Sequence, residues 1–514
     1  MIGLRRWLGS GIVVVLAIAA AKLLLHLATA SRYGYFGDEL YFLACGEHLD
    51  WGYVDQPPLI ALVAWLVRHT LGTSLVAVRL PSALAGTALV LLTGLLAREL
   101  GGGRFAMGLS AAASALAFVY VVIHYLFTMN AYEPLFWTGC AFLLVRIIKT
   151  GDQRLWLWFG LLAGLGLQNK YSMAVHGFGL VVGVLLTPER RALRQPWIWL
   201  GGALAALVFL PNVIWNVQHG WPFFELLRNI RASGRDVVLS PVEYLLRQAF
   251  NMNPANLPIW LAGLGWLLLA ARGRSFRPLG WAFLVTFATF LLTKGKDYYL
   301  APAFATLFAA GGVSIEGFTA AGGWRLWLRP TLVALLAVVT LPFLPMGLPI
   351  LPAERLIAYQ ERLGLALPTS EKAHGRAALP HHFAWQFGWE EMVAAVAAAY
   401  HALPPEEQAR AAVIGNNYGE SGAVDLLGAK YSLPLKALGT HQSYWLWGPG
   451  DAGKDVLIVL GDRPEHLKRW CADVQVAAEL SHPWGAVWEN GSVLVCRQPR
   501  TPLLQLWPKL KHWS

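Results

Sequence analysis

Apolar stretches of roughly 20 residues recur along the first 350 positions, separated by short polar segments. A helix needs about 20 apolar residues to cross the hydrocarbon core of a membrane, so this pattern predicts a series of transmembrane helices. We predict eleven, over residues 8–29, 75–97, 105–123, 131–148, 155–169, 172–187, 197–214, 256–271, 279–293, 300–318 and 331–349. Residues 59–71 are a further apolar stretch, predicted to form a hairpin or an interfacial helix.

The pattern changes after the last of these stretches. Apolar runs shorten to strand length, as in "AAVIG" (411–415), "DVLIVLG" (455–461) and "GSVLVC" (491–496), and helix-like segments such as "EEMVAAVAAAYHAL" (390–403) lie between them. Strands that alternate with helices predict a small α/β domain, entered through the Pro- and Gly-rich linker "LPFLPMGLPILP". We therefore predict two domains, a transmembrane domain over 1–350 and an α/β domain over 351–514.

Composition supports a membrane protein. The 514 residues are 56% hydrophobic and 14% charged, whereas soluble domains carry roughly 25% charged residues. The net charge of +11 does not indicate nucleic-acid binding, because no basic run is interleaved with aromatic residues. Basic residues instead collect in short cytoplasmic loops of membrane proteins.

The charged residues also predict the orientation. With the N-terminus inside, every cytoplasmic segment is basic: Arg5 and Arg6; Arg98 and Arg104; Arg146, Lys149 and Arg154; Arg190, Arg191 and Arg194; Arg272, Arg274 and Arg277; Arg325 and Arg329. This orientation places the α/β domain outside the cell membrane. The basic start and "ATA" (28–30) also fit a cleaved signal peptide, but its loss would leave the alternation of loop charges unexplained, so we expect the first helix to be retained.

The first outer loop, residues 30–58, is acidic. Between Tyr33 and Pro58 it contains Asp38, Glu39, Glu47, Asp50 and Asp55, and neither Lys nor Arg. Its segment "DELYFLACGEHL" has apolar residues at the spacing of an amphipathic helix at the membrane interface, and "QPPL" ends that helix. Cys471 and Cys496 both lie in the α/β domain, where they either pair or remain buried thiols.

Polar residues recur at the predicted outer ends of the spans: Asp38, Glu39, Asp55, Arg79, His124, Asn130, Glu133, Lys170, Lys294, Lys296 and Asp297. Such a rim suits a reaction on an anionic, membrane-held substrate, because cations hold a phosphate while a carboxylate acts as a base. The alternative is that these residues are solvated anchors, with Asp38 and Glu39 favoured at a helix N-terminus and Glu133 marking a helix start. Their shared side favours the functional interpretation.

Several segments resemble one known family. "GDELYFLACGEHLDWGYVDQPPL" resembles the first outer loop of GT-C glycosyltransferases, specifically bacterial relatives of the protein O-mannosyltransferases and the lipid A aminoarabinose transferase (glycosyltransferase family 39-like). Further blocks follow in the same order: "RLPSALAG" (79–86), "FTMNAYEPLFW" (127–137), "NKYS" (169–172), "WNVQHGWPF" (215–223) and "KGKDYYLAP" (294–302). "GNNYGESGAVDLLG" (415–428) and "HQSYWLWGPG" (441–450) resemble the outer domain of the bacterial branch.

The resemblance implies an α-helical polytopic GT-C fold and an inverting transferase in the bacterial cytoplasmic membrane. Its donor would be a sugar on polyprenyl (undecaprenyl) phosphate, and its acceptor a lipid such as lipid A, another envelope glycan or a protein. Asp38 matches the catalytic carboxylate, with Glu39 beside it, and Glu133 matches a second acid. The donor-phosphate residues implied are Arg79, Lys294, Lys296, Tyr298 and Tyr299.

The chain departs from the family at one position. Before the Pro-Pro turn the aminoarabinose transferase has Glu-Lys, whose Lys contacts phosphate and whose Glu contacts a metal, whereas this chain has Asp55 and Gln56. We expect Lys170 to replace the missing cation. Asp55 and His219 remain candidates for a divalent cation, the only cofactor that the resemblance suggests.

A different class of function also fits a polytopic chain. A transporter or flippase for a lipid-linked or anionic substrate would place charges at the membrane midplane, in broken helices of repeated halves. The sequence shows charges at the outer ends instead, with no internal repeat. A structural or assembly protein is a further alternative, and the transferase is the function that we predict.

Overall fold

A computed structural model describes residues 11–365, 367–451 and 453–514. Arg5 and Arg6, which belong to the predicted cytoplasmic start, lie outside the described residues. The chain folds into two compact units. The first unit comprises residues up to 30, 79–214 and 238–350, and the second comprises 31–78, 215–237 and 351–514.

Helices dominate the first 350 positions. They are α1 (Gly11–Thr29), α2 (Gly37–Glu47), α3 (Leu59–Thr70), α4 (Leu75–Glu99), α5 (Arg104–Ala115), α6 (Phe118–Ile123), α7 (Glu133–Thr150), α8 (Leu155–Asn169), α9 (Met173–Leu185), α10 (Pro196–Gln218), α11 (Pro222–Ser233), α12 (Pro241–Asn251), α13 (Leu257–Leu269), α14 (Arg277–Leu292), α15 (Phe304–Thr319) and α16 (Leu328–Gly347). Short 3₁₀ turns connect several of them, including Met129–Ala131 and Asp297–Ala303.

The chain is a multi-pass membrane protein. Among the described residues, seven helical segments are long and apolar enough to cross a membrane: Gly11–Thr29, Leu75–Glu99, Met129–Thr150, Pro196–Gln218, Arg274–Leu292, Asp297–Thr319 and Gly323–Gly347. Each of the eleven predicted spans contains a helix, but α8, α9 and α13 are shorter, and the span over 105–123 is broken into α5 and α6. The number of crossings therefore remains a prediction.

Polar side chains of α1 satisfy backbone carbonyls at the C-terminal end of the short helix α6. The Lys22 ammonium donates to the Tyr120 carbonyl at 3.2 Å, and His26 Nε2 lies 3.1 Å from the Val121 carbonyl oxygen. Both carbonyls belong to the last turn of α6, where a helix has no partners of its own. Because a membrane interior provides no water for such groups, these contacts explain why the apolar helix α1 contains Lys22 and His26.

The chain after residue 350 contains the predicted α/β structure. Its helices are α17 (Ala353–Leu363), α18 (His381–Ala384), α19 (Trp389–His401), α20 (Pro405–Ala409), α21 (Tyr418–Leu427), α22 (Ser443–Trp447), α23 (Pro464–Leu467) and α24 (Leu503–Leu506). Its strands are β1 (Ala411–Gly415), β2 (Ala437–Gly439), β3 (Val456–Leu460), β4 (Cys471–Leu480) and β5 (Gly491–Pro499).

The five strands form one sheet in the order β2-β1-β3-β5-β4. β1 is parallel to β2 and β3, with Val413 opposite Ala437 and Ile458, and β5 is antiparallel to β3 and β4. The three predicted strands are confirmed as β1, β3 and β5. Two strands were not predicted, because β2 has three residues and β4 is largely exposed, without an apolar run.

A disulfide joins Cys471 to Cys496, with their Cα atoms 5.8 Å apart. It links the neighbouring strands β4 and β5, so the sequence alternatives for these cysteines resolve in favour of pairing. Cys45 and Cys140 are buried and free.

The acidic outer loop lies in the second compact unit, together with residues 351–514. One division between the units falls at 350/351, where we predict the domain boundary, but the second unit also contains residues 31–78 and 215–237, which lie in the predicted domain over 1–350. The expectation of an amphipathic surface helix was wrong, because α2 is buried along nearly its whole length, from Glu39 to Gly46. Residues 59–70 form the single helix α3 rather than a hairpin.

Candidate functional site

The predicted site residues fall into two groups, one in each compact unit. The second unit holds Asp38, Glu39, Asp55 and His219; the first holds Arg79, Glu133, Lys170, Lys294, Lys296, Tyr298 and Tyr299. The environment of each group follows from contacts within its own unit.

The adjacent acids Asp38 and Glu39 occupy different environments at the start of α2. Glu39 is fully buried, and its Oε2 accepts a hydrogen bond from the Phe36 backbone N–H at 2.9 Å. This contact caps the helix with a carboxylate, which the N-terminal end of a helix favours. Asp38 is partly exposed, and its Oδ1 accepts a hydrogen bond from Tyr418 Oη at 2.9 Å. Of the two carboxylates, Asp38 is the more accessible to a substrate.

Close backbone packing fixes α2 against residues of the α/β domain. A Cβ atom at Gly37 would lie 2.5 Å from the Trp385 ring, and one at Gly422 would lie 2.9 Å from the Leu40 carbonyl oxygen. Real Cβ atoms do not come this close, so both positions need glycine. The start of α2 therefore rests on Trp385, and its middle rests on α21.

Asp55 belongs to a separate hydrogen-bonded network. Tyr41 Oη donates to Asp55 Oδ1 at 2.7 Å and lies 2.7 Å from Ser443 Oγ, which also accepts from the Val54 N–H. Burial raises the pKa of Asp55 to about 6, although the hydrogen bond from Tyr41 acts in the opposite direction. The Asp55 carboxylate therefore already has a hydrogen-bond donor within the protein, the Tyr41 hydroxyl.

The structure does not support the suggested divalent-cation site. His219 stacks on Trp215 with ring centroids 4.1 Å apart, and its Nδ1 lies 2.8 Å from the Trp215 carbonyl oxygen. In the part of the chain that the structure describes, no group of three or more His, Cys, Asp or Glu side chains is placed to hold a metal ion. The pairing of Asp55 with His219 as metal ligands therefore stays a prediction.

In the first unit, Glu133 and Lys170 form the centre of a polar cluster. Lys170 Nζ lies 3.0 Å from Glu133 Oε2 and 2.8 Å from Asn130 Oδ1. Ser172 Oγ donates to Glu133 Oε1. Glu133 is the first residue of α7, before Pro134, and Lys170 directly follows α8, so two helix ends bring the pair together.

Aromatic rings complete this cluster. Lys170 Nζ lies 4.6 Å from the centroid of the Tyr299 ring and 5.8 Å from that of Tyr298. A ring face attracts a cation, so the two tyrosine rings help to stabilise the Lys170 ammonium. Lys294 is exposed, with a left-handed backbone (φ 56°), and Lys296 is partly exposed before the turn that carries both tyrosines.

Arg79 is almost fully buried, with 1% of its surface exposed. Its Nη1 donates to the Ala30 carbonyl at 2.6 Å and to Tyr125 Oη at 2.7 Å, and its guanidinium lies 4.4 Å from the centre of the Tyr125 ring. Arg79 is thus a buried cation held at the end of α1, not a solvated anchor.

Sequence reasoning missed Ser172 and Tyr418 as site residues. Both lie inside quoted blocks, Ser172 in "NKYS" and Tyr418 in "GNNYGESGAVDLLG". The blocks were the available signal, but nothing in the sequence indicates which carboxylate each hydroxyl contacts.

Comparison with known proteins gives three kinds of similarity. A family model described as dolichyl-phosphate-mannose-protein mannosyltransferase matches residues 55–215. The lipid A galacturonosyltransferase RgtD of Rhizobium johnstonii is 28% identical over 213 residues, which is 41% of this chain and 44% of that protein. The matched region thus spans less than half of that relative's length.

Solved structures show the same fold over most of the chain. ArnT from Cupriavidus metallidurans bound to undecaprenyl phosphate superposes with a TM-score of 0.57 and 15% identity, covering 93% of this chain and 97% of that one. Arabinofuranosyltransferase AftD from Mycobacteria gives a TM-score of 0.52 and 16% identity, covering 96% of this chain and 40% of that one.

Proposed function

We propose that this chain, which resembles GT-C glycosyltransferases in sequence and fold as predicted, is a membrane glycosyltransferase with Asp38 as its general base. It transfers a sugar from a polyprenyl-phosphate donor to an acceptor hydroxyl or phosphate, with inversion. The observation that carries the proposal is the environment of Asp38, a partly exposed carboxylate that Tyr418 Oη holds at 2.9 Å. It occupies the position that the resemblance assigns to the catalytic acid.

The neighbouring acids are less suited to be the base. Glu39 is fully buried and caps its own helix. Asp55 belongs to a separate network with Tyr41 and Ser443, and the resemblance does not match it to the catalytic acid. Asp38 therefore accepts the proton of the acceptor hydroxyl as the oxygen attacks the anomeric carbon, opposite to the phosphate.

The leaving group needs positive charge rather than a proton. Cations that stabilise the developing phosphate anion lower the barrier to its departure. Arg79 and Lys170 are assigned this role. Arg79 is buried and donates to the Ala30 carbonyl. Lys170 is nearly buried and contacts the Asn130 amide oxygen and the Glu133 carboxylate. Glu133 is assigned as the second acid, and its ion pair orients Lys170. Lys294, Lys296, Tyr298 and Tyr299 are assigned to the same phosphate group.

The names of the similar proteins support the choice of substrates. The similar ArnT structure was solved with undecaprenyl phosphate, which favours a polyprenyl-phosphate donor. RgtD is named for lipid A, which makes lipid A the first acceptor to test, before other envelope glycans and proteins.

The reaction is assigned to the outer face of the bacterial cytoplasmic membrane. The basic inside loops favour that orientation. The Cys471–Cys496 disulfide supports it independently, because disulfides persist in oxidising compartments outside the cytoplasm.

A single assay separates a transferase from a carrier. Purified protein in detergent is supplied with undecaprenyl-phosphate-linked sugars and lipid A, and released undecaprenyl phosphate is measured. A transferase releases it in step with glycosylated acceptor, and Asp38→Asn lowers the rate of release by about 10²–10⁴-fold. Intact donor after incubation with folded parent protein and the full set of donors and acceptors would contradict the proposal. Mass spectrometry of envelope lipids and glycans from a deletion strain identifies the sugar and acceptor to supply.

A further inference from the structure

Tyr418 is held in one position by residues of the α/β domain. It is the first residue of α21, which follows β1 after a two-residue turn. Asn417 caps that helix, its side-chain oxygen accepting from the Glu420 N–H at 3.0 Å. The Tyr418 ring stacks on Tyr41, with ring centroids 4.6 Å apart, and on His441, with centroids 4.9 Å apart. Helix cap and ring stack together leave the phenol hydroxyl with a fixed direction.

That direction leads to Asp38, 380 positions earlier in the chain. Tyr418 Oη donates to Asp38 Oδ1 at 2.9 Å, and the close approach of Gly422 to Leu40 fixes the two helices at this spacing. Burial raises the pKa of Tyr418 well above its ordinary value, as do the neighbouring charges of Asp38, Asp55 and Glu371. The phenol therefore remains a hydrogen-bond donor throughout the range in which a carboxylate titrates.

We infer that Tyr418 is a positioning residue for the catalytic carboxylate, orienting Asp38 and favouring its ionised form. The inference rests on the proposed function, since it gives Tyr418 no role of its own in proton transfer. A hydrogen bond to the charged form of an acid favours that form, and bonds to ionised groups are the stronger ones. The α/β domain thus supplies a residue on which the base depends.

The central test is the pH dependence of transfer by Tyr418→Phe in the full-length protein. Loss of the hydroxyl should move the acid limb of the kcat profile to higher pH by about one unit, because the base then ionises less readily. At pH values on the acid side of the limb, kcat of the variant should be about tenfold lower than kcat of the parent. At high pH the two kcat values should be equal, and the KM for the donor should be unchanged at every pH. A purely structural role would not produce a shifted limb with recovery.

Tyr444→Phe is the matched control. Tyr444 is also a buried tyrosine of this domain and donates to a carboxylate, Asp425 Oδ2, at 2.7 Å, but that carboxylate has no assigned role. The control should keep the parent pH profile. A variant that replaces Tyr418 with a fluorinated tyrosine keeps the ring and its stacking while making the hydroxyl a stronger donor, so its acid limb should move to lower pH.

The outcomes separate this inference from the proposed function. If Asp38→Asn is inactive but both Tyr418 variants keep the parent acid limb, the inference is overturned and the base assignment stands. If Tyr418→Phe loses activity equally at every pH, and the fluorinated variant leaves the limb in place, Tyr418 is only a packing residue and the inference fails. Full activity of Asp38→Asn would overturn the proposed base and the inference together.

Discussion

Lys170 Nζ and Glu133 Oε2 form an ion pair of 3.0 Å, with only 13% and 4% of the two side chains exposed. Burying a charge is costly unless it is paired. The pair therefore combines two roles: it keeps each charge satisfied inside the first unit, and it presents a cation beside Tyr298 and Tyr299.

Removing one member of this pair should cost more stability than removing both. Lys170→Met leaves the buried Glu133 carboxylate without its partner and should destabilise the protein by about 3–5 kcal/mol. The double variant Lys170→Met/Glu133→Gln should recover a large part of that loss, since no charge remains uncompensated. Thermal unfolding in detergent measures both. If the double variant is no more stable than Lys170→Met, the pair is not energetically coupled.

Arg79→Ala should weaken use of the donor. A phosphate that loses a charge-assisted hydrogen bond loses about 1.5–3 kcal/mol, which corresponds to a rise of roughly 10–100-fold in the donor KM. Arg146→Ala is the control, because Arg146 forms an ion pair with Glu99 in which its side chain is 44% exposed, and such pairs contribute little. Unchanged donor saturation in folded Arg79→Ala protein would show that Arg79 only anchors α1.

The predicted membrane orientation can be tested with reporter fusions. A reporter fused after Arg277 should report a cytoplasmic position, and one fused after Ser514 an extracytoplasmic position, because the basic loops stay inside. Reporter enzymes that are active on only one side of the membrane make the measurement. A cytoplasmic Ser514 would contradict both the span count and the outer location of the disulfide-linked domain.

The raised pKa of Asp55 should make the stability of the folded protein depend on pH. Its pKa is raised from 3.8 to about 6 in the folded protein, so between these values the folded state binds a proton that the unfolded state has released. Stability from this group is therefore present at low pH and is lost as pH rises toward 6. Unfolding midpoints measured from pH 4 to about 7 should fall less steeply in Asp55→Asn than in the parent. Parallel curves would contradict the burial of this carboxyl.

Sequence reasoning located most elements but not their contacts. Long apolar runs predict the helices, and the apolar runs at 411–415, 455–461 and 491–496 predict strands β1, β3 and β5. β2 and β4 have no such run and were missed. The burial of α2 depends on α21, which lies about 380 positions later, so local periodicity could not reveal it.

The candidate site shows the same limit. Residue type and block order predict Asp38, Arg79, Glu133 and Lys170 as site residues, and these assignments stay predictions. The metal role suggested for Asp55 came from the family resemblance, which could not show that this carboxylate accepts a hydrogen bond from Tyr41. The hydroxyls of Ser172 and Tyr418 act through single contacts with distant acids. Such contacts exist only once the chain is folded.

The role of Asp38 is the central claim, and turnover by Asp38→Asn tests it most directly. The substitution keeps the size of the side chain and an oxygen that accepts from Tyr418, but it removes the basic carboxylate. Glu47→Gln is the matched control: Glu47 ends the same helix and pairs with Arg68 at a partly exposed position. Asp50 is less suitable, because its two oxygens accept from the Trp51 N–H and from Trp215 Nε1.

The measurement is the release of undecaprenyl phosphate by purified, folded protein at saturating donor and acceptor. The account predicts that Asp38→Asn lowers kcat by about 10²–10⁴-fold, with donor binding nearly unchanged, and that Glu47→Gln retains the parent rate. A kcat for Asp38→Asn within a few-fold of the parent would contradict the account, as would an equal loss in Glu47→Gln.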